Sequence, residues 1–181
     1  SYDDELKSNN YSTPKRCAKA LKKYLKDSNS HILDIGCGTG LSGQEILNVG
    51  FKNVDGTDFS DKMLYEAKNK NIYKRLFNLD LNSNFYNVNF NYNAIVAAGI
   101  ISPHHANPSC LEKCLNILCD SGLLIFSLND HAVENKNFMD EIFMIVDKNF
   151  EILEKTYGDH LPGIKLNSFV YVIKKLKIKK Y

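Results

Sequence analysis

Apolar positions along this chain follow two alternating rhythms. Cys17, Leu21, Tyr24 and Leu25 fall at helical spacing behind Thr13-Pro14, which reads as an N-cap and first helical residue, so 14–26 is an amphipathic helix. The polar turn Asp27-Ser28-Asn29-Ser30 leads into the short apolar run of 31–35, a strand buried on both faces. A glycine-rich turn follows, and Leu41 to Asn48 reads as a helix stopped by Gly50. The alternation repeats: a strand over 53–58, and a helix over 61–70 capped by Ser60 with Met63, Leu64 and Ala67 on one face. A third strand spans about 73–79. Residues 82–92 form an asparagine-rich loop without helical period, and 94–98 is a fourth strand. Asn107-Pro108 opens a helix striped by Leu111, Cys114, Leu115 and Leu118, and Asp120-Ser121-Gly122 turns into a fifth strand over 123–128. A helix over about 136–147 carries Phe138, Ile142, Ile145 and Val146, and strands over about 150–156 and 168–175 follow. Strands alternating with helices specify an α/β fold, a doubly wound parallel sheet covered on both faces and joined by right-handed crossovers. No repeat or linker divides the 181 residues, so one domain is expected.

Composition adds exclusions. Hydrophobic residues make up 44% and charged residues 24%, the balance of a globular protein. A net charge of +2 gives no argument for nucleic acid, and no apolar run approaches the roughly 18 residues of a membrane span. There is no signal-peptide pattern. The five cysteines, an odd number set within apolar patterns, fit buried free thiols in a reducing cytoplasm. Cys110, Cys114 and Cys119 lack a Cys-x-x-Cys pair or a well-spaced histidine, so no metal is expected.

Candidate chemistry centres on Asp34-x-Gly36-x-Gly38-x-Gly40, between the first strand and its helix. Glycines let backbone approach a ligand closely, and a helix N-terminus offers free N–H groups. Counted from Gly36-x-Gly38, a dinucleotide fingerprint needs a third glycine where Leu41 stands, and the Gly-Lys-Ser/Thr of a phosphate loop is missing. The spacing resembles the first motif of class I S-adenosylmethionine-dependent methyltransferases. The resemblance implies a Rossmann-like seven-stranded sheet of order 3-2-1-4-5-7-6 with strand 7 antiparallel. It also implies an N-terminal helical lid segment (1–30), a cofactor-binding core (31–181), and S-adenosylmethionine as cofactor. Tyr2-Asp3, Tyr11-x-x-Pro14, Ala98-Gly99 and Leu161-Pro162-Gly163 are similar to the Williams–Beuren-region methyltransferase-like group.

Carried over position by position, the resemblance places the methionine part and ribose over Gly36, Cys37, Gly38 and Gly40, with Asp34 holding the amino group. Asp58, which ends the second strand, can accept from vicinal ribose hydroxyls, or it can cap the following helix, for which Ser60 is better placed. Phe59 and Met63 would flank adenine, although Met63 also suits ordinary core. Asp80-Leu81 matches the position that reads the adenine amino group, or is an exposed loop. Asn93 replaces a frequent acid and can still bond neighbouring backbone. Tyr11 either covers the methionine moiety or packs the first helix.

Ala97 and the segment after it, Ile100-Ile101-Ser102-Pro103-His104-His105, face the transferred methyl group in the family. His104 and His105 are candidate bases, or exposed loop residues. The Asn/Asp-Pro-Pro-Tyr/Phe run of exocyclic-nitrogen methylating enzymes is absent here. Three functions follow in order: methyl transfer to a small-molecule acceptor by in-line displacement; cofactor binding without catalysis, as partner or sensor; and nucleic-acid or anionic-surface binding by Lys174, Lys175, Lys177, Lys179 and Lys180. The last is weakest, because a lysine-rich edge is ordinarily a solvated strand end.

Overall fold

The run from His31 to Ile35 becomes the central strand β1 (His31–Ile35) because both of its faces find apolar cover. Ile32 packs with the cluster that contains Cys17, Ala18, Leu21 and Ile46 on one face, while Leu33 and Ile35 join Leu111, Phe138 and Ile142 on the other. The protein is described by a computed structural model over residues 6, 8–83, 85, 88 and 91–177; Tyr2, Asp3, Lys179 and Lys180 lie outside the described residues. Around β1 run α1 (Thr13–Tyr24), α2 (Leu41–Asn48), β2 (Asn53–Asp58), α3 (Asp61–Asn69), β3 (Leu76–Asn78) and β4 (Tyr92–Ala97). Then come α4 (Ser109–Cys114), β5 (Leu118–Asn129), α5 (Asp130–Glu134), α6 (Lys136–Asn149), β6 (Phe150–Leu161), a 3-10 turn at Pro162–Ile164, and β7 (Leu166–Lys175).

The seven strands form one sheet of order β3-β2-β1-β4-β5-β7-β6. β1 to β5 pair in parallel, and β7 runs antiparallel to both β5 and β6. The order places a topological switch between β1 and β4, where crossovers leave in opposite directions and a crevice opens beyond the strands' carboxyl ends. Among the described residues no helix is long and apolar enough to cross a membrane.

Several boundaries differ from those expected. β5 begins at Leu118, because Ser121 adopts φ 61° and the strand continues through what reads as a turn, with a register shift opposite Tyr92 and Ala94. The five-residue α5, capped by the Asn129 side chain on the Ala132 amide, is too short to show helical period. β6 runs to Leu161 as half of a long edge hairpin. Ser12, not Thr13, is the N-cap of α1, and it makes no side-chain cap bond. Thr13 has a different partner, described below.

Two buried carboxylates pin the sheet at opposite ends. Near the amino ends of the strands, Asp55 Oδ2 accepts from Arg75 Nη2 (2.5 Å) and the Tyr92 hydroxyl (3.0 Å) and meets His31 Nε2 at 2.8 Å, tying β1, β2 and β4 to the segment before β3. At the other end, Asp34 Oδ2 accepts from Ser42 Oγ (2.5 Å) and Tyr73 Oη (2.6 Å). The Tyr73 ring fits because Gly43 and Gly56 beside it carry no side chains. Gly56, which pairs with Asp34 across β1–β2, would bring a Cβ within 2.9 Å of the ring, and a Cβ on Gly43 would overlap it.

Gly43→Ala sets two effects against each other. Alanine gains up to about 1 kcal/mol of helix propensity, and overpacking against a held ring costs about 1–3 kcal/mol. We expect overpacking to win, giving a lower urea midpoint than the parent; an equal or higher midpoint would show that Tyr73 is free to move.

Candidate functional site

The glycine turn after β1 is held from below and from the side. Gly36 has φ 64°, and a Cβ there would lie 2.5 Å from Ile100 Cγ2, so the turn packs directly on the segment after β4. Gly38 has φ 53° and faces open space, where a side chain would project into the crevice. The Asp58 carboxylate clamps this turn: Oδ2 accepts from the Gly38 amide and Oδ1 from the Ser60 amide, each at 2.9 Å. Ser60 Oγ in turn accepts from the Met63 amide at 3.3 Å. The division expected from the sequence holds for the cap of α3, with the added result that Asp58 bonds backbone on both sides.

A crevice of about 450 Å³ opens here, and Gly36, Gly38, Asp58, Phe59, Met63 and Leu81 all line it. Phe59 is 71% exposed, an unusual state for a phenyl ring beside a cleft. A narrower pocket of about 70 Å³ continues past Cys37 and Tyr11. Asp34, Gly40, Asp80 and Ala97 line neither space. Asp34 is fully buried beneath the turn, Gly40 caps α2 at φ 99°, and Ala97 is enclosed in β4 with Ala98 taking the lining position. Asp80 Oδ1 accepts from the Asn82 amide, and it is Asn82 that lines the crevice. Asn93 Oδ1 accepts from the His31 amide at 2.8 Å, the backbone bond expected of it.

Burial pushes the Asp34 carboxyl up to about 6, against the hydrogen bonds from Ser42 and Tyr73, with the nearby Asp58 charge adding to the rise. Its second oxygen, Oδ1, is buried without a hydrogen-bond partner among the described residues.

Beyond β4 lies a third space of about 280 Å³, bordered by Leu6, Tyr11, Ile101, Ser127 and His160. His104 and His105 line it from an exposed loop, and His105 also borders the crevice. All three spaces meet at Gly99, where φ is 74° and the Tyr11 hydroxyl occupies the place of a Cβ. Tyr11 meets His160 edge-on at 5.2 Å. A larger concavity of about 810 Å³ at the other end of the sheet shares no residue with these three spaces. No group of three or more His, Cys, Asp or Glu able to hold a metal comes together among the described residues.

Residues 32–122, just over half of the chain, match the methyltransferase domain family. The chain belongs to that family. S-adenosylmethionine is the cofactor such membership implies, and the open cradle at Gly38 and the Asp58 carboxylate fit it. Among curated proteins, the chain is 25% identical over 109 residues to a ribosomal protein L11 methyltransferase of Lachnospira eligens (60% of this chain, 30% of that protein). It is 34% identical over 77 residues to human methyltransferase-like protein 27 (41% of this chain, 31% of that protein). Each match thus spans less than a third of its curated relative. Among solved structures, a Clostridium acetobutylicum S-adenosylmethionine-dependent methyltransferase superposes with TM-score 0.68 at 17% identity, covering 92% of both chains. A putative class I enzyme of Listeria monocytogenes gives 0.71 at 15% identity, covering 96% of this chain and 63% of that one. At those identities the likeness shows the fold.

The methyltransferase domain uses residues that sequence reading passed over. Ser42 and Tyr73 hold Asp34, and Ser127 Oγ accepts from the Gly99 amide at 2.8 Å. Ser42 carried a usable signal, in the first turn of α2 and facing back to β1. Tyr73 and Ser127 carried none, since each meets its partner only after the sheet forms.

The raised Asp34 carboxyl has a definite sign. Folded Asp34 keeps its proton to about pH 6 and unfolded aspartate to about 3.9, so its contribution to stability is full below about pH 4 and lost as pH rises toward 6. His160, which burial lowers to about 4, works oppositely over the same window. Asp34→Asn therefore should gain stability relative to the parent as pH rises from about 4 to 7, read as the difference in urea midpoints. A difference independent of pH would contradict the raised value.

Proposed function

We propose that this chain transfers a methyl group from S-adenosylmethionine to a small-molecule acceptor by in-line displacement. The observation that carries the reading is the junction at Gly99, where a cofactor-sized crevice and a separate pocket of about 280 Å³ meet. Bound cofactor supplies an electrophilic methyl on a sulfonium, with a good leaving group. The chain's own residues bind, orient and exclude water, which is the larger share of such catalysis.

In this reading the remaining lone pairs of Asp58 take the ribose hydroxyls, Phe59 and Met63 close on the two sides of adenine, and Leu81 and Asn82 border its edge. Gly36, Cys37 and Gly38 lie under the ribose and methionine part. Asp34 acts from beneath the turn: it braces Ser42 and Tyr73, and its charge favours the ammonium and sulfonium above. Gly40 and Ala97 shape the backbone, and Asp80 positions Asn82. Tyr11, over Gly99, closes the methionine end, so residues 1–30 work as a lid on the 31–181 core. His105, which borders both spaces, is the candidate base, with His104 behind it on the same loop. Five free thiols, four of them buried, support a reducing compartment, the cytoplasm, as the place of this work.

A protein side chain as acceptor is the competing reading, favoured by the relative named for ribosomal protein L11. Binding without catalysis is the other. Incubation with methyl-labelled cofactor and a cell extract separates them: the proposal expects label in a low-molecular-weight product. Label in a protein band, or none anywhere, would overturn it.

Asp58→Ala removes the ribose contacts and leaves the Gly38 and Ser60 amides without their partner. Its affinity for S-adenosylhomocysteine should fall at least ~100-fold, the scale of two charged hydrogen bonds. The two lost backbone bonds should also lower its stability, a revision of the mild effect that a free carboxylate would give. An unchanged Kd by calorimetry would make Asp58 purely structural.

A further inference from the structure

The acceptor pocket has a polarity that its histidines alone do not disclose. His160 is 6% exposed, and its Nδ1 lies 2.7 Å from Thr13 Oγ1. Thr13 Oγ1 lies 3.2 Å from Ser168 Oγ, and Thr13 and Ser168 are both fully buried. Arg16 Nη1 reaches Ser168 Oγ at 2.9 Å, and the guanidinium also donates to the carbonyls of Thr156, Asp159 and Ser168. A guanidinium has no acceptor, so Ser168 Oγ can only accept from it.

Letting each hydroxyl donate once orders the protons down the line. The Ser168 hydroxyl proton has one place to go among the described residues, Thr13 Oγ1. The Thr13 proton then goes to His160 Nδ1. A neutral imidazole that accepts at Nδ1 carries its proton on Nε2. Nε2 has no partner among the described residues, and His160 lines the pocket. Burial and the Arg16 charge both hold the ring's pKa down to about 4, which keeps it neutral near pH 7.

Two further groups on the same wall point the same way. Ser127, 1% exposed, has its oxygen occupied by the Gly99 amide, and its own proton has no acceptor among the described residues. Asn129 Oδ1 is taken by the Ala132 amide, which leaves its NH₂ hydrogens. Asn129 and Ser127 line the pocket beside His160, and no carboxylate, lysine or arginine lines it among the described residues. Leu6, Ile101, Ala132, Leu161 and Leu166 supply apolar cover.

We infer that this pocket binds a small acceptor through a carboxylate, which receives hydrogen bonds from His160 Nε2–H, Ser127 Oγ–H and the Asn129 amide, with Thr13, Ser168 and Arg16 fixing the His160 tautomer. The inference rests on the proposed methyl transfer only for the word acceptor; the donor-lined pocket stands on its own hydrogen bonds. A carboxylate offers about four acceptor sites and suits such a wall better than a hydroxyl or amine, which brings protons of its own. His160 is a donor that holds the substrate, and Thr13 and Arg16 are positioning residues.

The tautomer is read directly from histidine side-chain nitrogen spectra of the full chain near pH 7. The expected result is a neutral His160 with its proton on Nε2, and a mixture of tautomers in Thr13→Val. A proton on Nδ1 in the parent would overturn the inference. Ligand polarity is read by titrating acetate, benzoate and benzyl alcohol while following the His160 and Asn129 signals. Saturable shifts with the two carboxylates, weakened ~10-fold by His160→Ala and largely kept in His160→Gln, support the inference. No response to either carboxylate, or benzyl alcohol binding as well as benzoate, would overturn it. A parallel titration with S-adenosylhomocysteine keeps the two readings separate: carboxylate binding without it sinks the methyl-transfer reading alone, and its binding with no carboxylate response sinks this one alone.

Discussion

The Asp58 carboxylate is the constraint on which the site depends. By accepting from Gly38 on one side and Ser60 on the other, it joins the glycine turn after β1 to the helix start after β2. Without it, the positive-φ turn at Gly36 and Gly38 would be tied to the neighbouring strand end, among the described residues, by the Cys37 amide bonded to the Thr57 carbonyl. Asp34 supports the same turn from below, buried with Ser42 and with Tyr73, whose ring finds its room at Gly43 and Gly56. One acid thus holds the rim of the crevice and the other its floor. The cost of burying Asp34 appears as a carboxyl that resists ionisation until about pH 6.

The acceptor side is built from a different part of the chain. β5 brings Ser127 and Asn129, the β6 end brings His160, and α1 brings Thr13 and Arg16 across to them. The antiparallel β6–β7 hairpin makes this possible, because it returns Ser168 opposite Asn129 and Gly158. The cofactor side is local in sequence, and the acceptor side is assembled over about 150 residues of separation. Gly99 is where they touch, with the Tyr11 hydroxyl over it and the His160 ring beside it.

This difference explains what could be read from the sequence. β1, α2, β2 and the start of α3 were legible to within a residue, because apolar runs, glycines and Ser60 mark each boundary. The α/β alternation was legible from periodicity, and the strand order, with β7 antiparallel, came from the family resemblance and is what the sheet shows. The early start of β5 was hidden by Ser121-Gly122, residues that normally turn a chain and here continue it. Thr13 looked like a cap because threonine before proline usually is one, but its hydroxyl serves His160, 147 residues away. The placement of Asp34 below the turn, and of Ala98 where Ala97 was expected, depends on which way a strand faces at its last residue. Local pattern does not record that. His160 itself gave no local sign of its environment, since burial and Arg16 act on it only in the folded chain.

The central claim is that the Asp58-clamped turn cradles an S-adenosyl group and not a dinucleotide. Calorimetric titration of the intact chain with S-adenosylhomocysteine and, separately, with NAD tests it most directly. The account predicts saturable one-to-one binding of S-adenosylhomocysteine and no heat from NAD at comparable concentration, as membership of the methyltransferase domain family implies. Tight NAD binding with no response to S-adenosylhomocysteine would contradict it.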